Sequence, residues 1–129
     1  MDLLLLISGA LILALFVVFS VWRGARRKLS KEHLVQLKRE WSHVAGLPDP
    51  TRRVLEAEKV LDHAFTLLGY KGSFADKLKK AERVLSNYQP LWDAHKLRNR
   101  IAHEPGFSIS EQDAKRAVAQ FEKALKALQ

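Results

Sequence analysis

Arg98, Asn99 and His103 stand close together in the run Trp92-Asp93-Ala94-His95-Lys96-Leu97-Arg98-Asn99-Arg100-Ile101-Ala102-His103-Glu104. Their types suit a phosphodiester chemistry that needs no metal. An imidazole exchanges protons near neutral pH, and a guanidinium holds a phosphate through two parallel hydrogen bonds. Acting together, the histidine would handle a ribose hydroxyl or a leaving oxygen while the arginine stabilises the developing charge. Helix geometry sets a condition on this. Asn99 and His103 are neighbours one turn apart, whereas Arg98 and His103 lie about 140° apart around the axis. The arginine and histidine can converge only if the helix terminates at His103 or if a second chain supplies one of them. Glu104-Pro105-Gly106 ends the helix at that point. The same residues have a purely structural use, since cations at a helix C-terminus favour the macrodipole and bond the last carbonyls.

Neighbouring residues extend the site. Lys96 and Arg100 would add phosphate contacts to a bound RNA, and otherwise form a charged face with Asp93. His95, one turn before Asn99, could carry a polar face toward Arg98, although it reads first as a solvated surface histidine. Tyr88 and Trp92 could stack bases, but aromatics at helical spacing are more often core. The other histidines, His33, His43 and His63, form no cluster at metal-ligand spacing, so neither a metal nor a cofactor is expected. With no cysteine in the chain, disulfides, thiolate zinc sites and cysteine nucleophiles are excluded. No serine sits in a nucleophile-elbow context and no glycine-rich phosphate loop occurs.

The elements that must position these residues begin with an apolar stretch. Leu3 to Trp22 is apolar except for Ser8 and Ser20, and about twenty helical residues match a hydrocarbon core of about 30 Å. The stretch reads as a membrane span, because no positive charge precedes it and its apolar run is longer than that of a signal peptide. Trp22 takes an interfacial position, and Arg23, Arg26, Arg27 and Lys28 follow. By the positive-inside rule the N-terminus faces out and the rest lies on the cytoplasmic side of the inner membrane. The formal charge of +8 over 129 residues belongs to this cytoplasmic part and suits a polyanionic partner.

Past the flank the pattern is helical throughout. Ser30 caps a helix with Leu34, Leu37, Trp41 and Val44 on one face, a stripe that could join the rest of the chain, act as a stalk or zip two chains together. Asp49-Pro50 opens a second helix with Val54, Ala57, Leu61, Ala64, Phe65 and Leu68 inward. A capping box of Ser73 and Asp76 precedes a third, carrying Phe74, Leu78, Ala81, Val84 and Leu85. The fourth starts near Pro90 with Leu91, Ala94, Leu97 and Ile101 inward. A second box, Ser110 with Asp113, opens the last, which carries Ala114, Ala117, Val118, Phe121, Ala124, Leu125 and Leu128. The expected fold is all-α: a single N-terminal transmembrane helix over residues 1–22, a basic juxtamembrane helix or linker over 23–48, and a small helical bundle over 49–129, four to five helices in all beyond the span.

Arg98-Asn99-Arg100-Ile101-Ala102-His103 resembles the Arg-x(4–6)-His motif of the HEPN superfamily, with the polar residue that this family often places after the arginine. Arg26 and Arg27 stand at matching spacing to His33, so the match at Arg98 rests on its context: the Arg-Asn pair, a late position in an all-α bundle, a helix-ending turn and a further helix behind it. The resemblance implies a dimer in which arginine and histidine from two chains line one cleft and cleave RNA without a metal. It would make His103 the general acid/base, Arg98 the phosphate holder and Asn99 an orienting neighbour; Lys96, Arg100 and His95 are the further residues expected to contact a bound RNA. It also implies an antitoxin or a nucleotidyltransferase as the kind of protein partner to expect. The alternative is a non-catalytic, membrane-tethered interaction or nucleotide-binding module on the same fold.

Overall fold

In the computed structural model, residues 2–24 and 27–129 are described, with side chains over 2–20 and 27–129. Arg26, used above in one of the two flanking Arg-His spacings, lies outside the described residues, as do the side chains of Trp22 and Arg23. Among the described residues the elements are α1 (Asp2–Gly24), α2 (Lys31–Ala45), α3 (Pro50–Leu67), α4 (Phe74–Lys80), a 3₁₀ turn (Glu82–Val84), α5 (Tyr88–His103) and α6 (Glu111–Ala127). All are helical.

Helix α1 is long and apolar enough to cross a membrane: over Asp2–Ser20 its mean hydropathy is 2.8 and none of the segment is buried against the rest of the chain. The helices beyond it start where side chains can take up their free N–H groups. Ser30 Oγ accepts from His33 N at 3.1 Å, and Asp49 accepts from the Thr51 and Arg52 amides at 3.3 and 3.2 Å. Ser73 and Asp76 form the expected reciprocal box, with bonds of 3.2 and 3.0 Å. At α6 only half of the expected box forms. Ser110 Oγ accepts from Asp113 N at 3.0 Å, while the Asp113 carboxylate is drawn to Arg116, 3.8 Å away.

Helix α3 is the hub, packed against α2, α4, α5 and most extensively α6. Its buried residues include Val54, Ala57, Leu61, Ala64 and Phe65, and those of α6 are Ala114, Ala117, Phe121, Ala124 and Leu125. Alanines at three of the buried α6 positions suit a close approach of helix axes, and Phe121 meets Phe74 of α4 edge to face at 6.4 Å. Leu37 and Val44 of α2 are almost wholly buried. Of the roles open to that stripe, α2 therefore takes the one of joining the bundle.

The third helix is shorter than its apolar pattern predicts. It stops at Lys80, and i→i+3 bonds from Val84 N to Ala81 O (3.0 Å) and Leu85 N to Glu82 O (3.2 Å) take over. The tighter 3₁₀ turn still brings Leu85 into the core, so the periodicity of apolar residues is kept without α geometry.

Candidate functional site

The chemistry of α5 is organised by a residue on α3. Glu58 lies inside the apolar stripe of α3, one turn after Val54, and is only 5% exposed. A carboxylate so placed must find partners, because desolvating an unpaired charge costs several kcal/mol. One oxygen, Oε2, is 2.8 Å from His95 Nδ1, and the other, Oε1, is 3.2 Å from Arg98 Nε. The Arg98 contact is an ion pair without hydrogen-bond alignment at Nε. From there the network runs back along α5. Arg98 Nη1 donates to Asn99 Oδ1 at 3.5 Å, and Asn99 Nδ2 lies 3.3 Å from His95 Nε2.

One arrangement of hydrogens satisfies every link. Arg98 donates to the Asn99 carbonyl oxygen, the Asn99 amide donates to His95 Nε2, and His95 Nδ1–H donates to Glu58. In this arrangement His95 Nδ1 carries the hydrogen that points at Glu58 and Nε2 accepts. The ring is held from two sides, 4.9 Å from Phe74 and 5.6 Å from Trp92 between centroids. His95 is thus a buried member of a cross-helix network, which corrects its reading as a solvated surface histidine. It does carry a polar face toward Arg98, as its spacing from Asn99 suggested.

The structure brings together Arg98, Asn99 and His95, and adds Glu58. It does not bring His103 to Arg98 within one chain. His103 is exposed at the end of α5, with Lys96 and Arg100 also exposed and Asn99 half-buried. Arg98 turns inward to α3. Arg100 is occupied locally, with Nε and Nη2 at 3.1 and 3.3 Å from the Glu104 carboxylate and its guanidinium 4.1 Å over the Phe107 ring. Tyr88 and Trp92 meet edge to face at 6.1 Å and pack on the core, the role given to them ahead of base stacking.

Sequence reasoning passed over Glu58, although a signal was there. A glutamate between Val54 and Leu61, on the face that also carries Ala57 and Phe65, is out of place on an apolar stripe unless something pairs it.

Two further charged contacts fix the frame around this network. Arg53 donates to the Leu47 carbonyl at 3.0 Å and makes a bidentate pair with Glu111 at 2.6 and 3.0 Å, tying the α2–α3 turn to the start of α6. The Arg53 guanidinium holds the Glu111 carboxyl below the usual carboxylate range, and Glu111 in turn raises the pKa of Arg53. Lys77 of α4 turns inward to Asp62 and the Thr66 hydroxyl, at 2.8 and 2.9 Å. A cavity of about 370 Å³ opens between α2 and α3, lined by Arg39, Glu40, His43, Val44, Glu56, Lys59 and Val60, and includes no residue of α5.

Set against known protein families, curated proteins and solved structures, the chain matches none of them.

Proposed function

We propose that this chain is a membrane-anchored, HEPN-like helical module that binds RNA on the cytoplasmic side through the outer face of α5. Helix α1 serves as the anchor, and the basic residues after it keep the bundle inside. One observation carries the reading: α5 divides its polar residues between two faces. Arg98, His95 and Asn99 are spent on the network around Glu58, while Lys96, Arg100 and His103 fall within about 60° of one another on the other side of the helix. That outer face offers two cations and an imidazole to a phosphate backbone, and half-buried Trp92 borders it.

The test is RNA binding by the full chain in nanodiscs. Reversing Lys96 and Arg100 to Glu should weaken binding and make the salt dependence shallower by about 1.4 in log–log slope, the value for two lost contacts to a single strand. Unchanged affinity and slope would reject the reading.

A second reading, a metal-independent endoribonuclease, is favoured by the exposure of His103 at the end of α5, which leaves it open to a second copy of the chain. RNA cleavage in EDTA that disappears in His103→Ala, with the unfolding midpoint of the bundle unchanged, would select it over the binding module.

A further inference from the structure

Arg27 and Leu29, which follow α1 in the chain, are held on the bundle. Leu29 packs against the hydrophobic core. Arg27 lies over the turn that follows α3: a Cβ built on Gly69, whose φ is +89°, would sit 3.1 Å from Arg27 Cδ and 3.2 Å from Nη1. The apolar window ends at Ser20 and helix α1 at Gly24. Four helical residues and three further steps of chain reach at most about 17 Å to the Arg27 backbone, and the Arg27 side chain adds about 7 Å, so the Gly69 turn stays within about 24 Å of the end of the span. Headgroups occupy about 5–8 Å of that distance on each side of a bilayer, and the field of an anionic surface decays over about 8 Å beyond them.

The side chains around this turn are cationic. Lys71 and Lys80 are exposed and held together, the Lys80 ammonium donating to the Lys71 carbonyl at 2.8 Å. Lys79 is exposed next to them, and Arg27 and Lys28 are exposed on the linker. Lys77, by contrast, is buried on Asp62. The one carboxylate of α4, Asp76, is used as its cap, accepting from Ser73 N at 3.0 Å. Helix α4 thus sends one lysine into the fold and leaves two outside, beside the linker from the span.

We infer that Arg27, Lys28, Lys71, Lys79 and Lys80 form a membrane-facing surface that binds the anionic headgroups of the bilayer in which α1 is anchored. The surface would dock the α3–α4 edge of the bundle on the lipid and fix which faces look toward the cytoplasm. This inference rests on α1 spanning the membrane, which alkaline extraction checks separately.

The experiment reconstitutes the full chain into nanodiscs of zwitterionic lipid alone or with about 30% phosphatidylglycerol, and measures lysine acylation rates by mass spectrometry. Lys71 and Lys80 should react about fivefold more slowly in the anionic discs, the factor that about 1 kcal/mol per lysine represents. Lys115, Lys123 and Lys126 of α6 should not change, and 0.5 M salt should remove the protection. If α1 resists extraction yet the lysines react equally in both lipids, the surface is not a lipid site. Protection by added RNA in zwitterionic discs, with none from anionic lipid, would assign the cluster to a polynucleotide and overturn the inference. Extraction of the chain at alkaline pH would remove the anchor on which it rests.

Discussion

Glu58 Oε2 and His95 Nδ1 lie 2.8 Å apart although 37 residues separate them in the chain, and both are more than nine-tenths buried. The contact joins the hub helix α3 to the helix that carries the candidate chemistry. Replacing His95 by Phe would keep the aromatic packing between Phe74 and Trp92 but leave a Glu58 oxygen without its donor. A loss of about 1–3 kcal/mol in urea unfolding of the bundle is expected. An unchanged midpoint would show that the imidazole fills space only.

Acid should act on the tie between Arg53 and Glu111. Because the folded-state pKa of Glu111 is depressed, its contribution is present above the ordinary glutamate pKa and is lost as pH falls through the lower folded value. Melting curves of the wild type and Glu111→Gln should therefore differ at neutral pH and converge below about pH 4. A difference that persists unchanged into strong acid would contradict the assignment.

Two glycines with positive φ separate backbone strain from crowding. Gly69 and Gly106 have φ of +89° and +72°, so alanine should cost about 1–2 kcal/mol of backbone strain at each. Of these two, Gly69 is the one where the new methyl would meet a neighbour, Arg27 at 3.1 Å. Gly69→Ala should therefore destabilise the bundle more than Gly106→Ala. Equal losses would mean that Arg27 moves aside freely.

Much of the architecture could be read from residue order because its signals are local. The caps at Ser30, Asp49 and Ser73 and the three- and four-residue spacing of apolar side chains depend only on nearby residues, and these helices start where expected. The end of α4 was not legible, since an α-helix and a 3₁₀ turn both bring Ala81 and Leu85 inward. The partners of His95 and Arg98 were hidden for a different reason. Both meet Glu58, about forty residues earlier, and which helices pack side by side is a tertiary fact that no spacing within α5 contains. Even so, the depth of His95 had a trace in the chain, because it lies about 40° around the helix from Leu91.

The central claim is that Arg98 is a tie between helices α5 and α3. A double-mutant cycle on Glu58→Leu and Arg98→Met, measured by urea unfolding of the full chain in nanodiscs, tests it most directly. Either substitution alone strands a partner in or near the interior and should cost about 2–4 kcal/mol, whereas the double substitution should recover part of that loss. A coupling energy of about 1–3 kcal/mol is the expected result. Additive effects, within about 0.3 kcal/mol, would show that Arg98 is free of Glu58 and available to hold a phosphate.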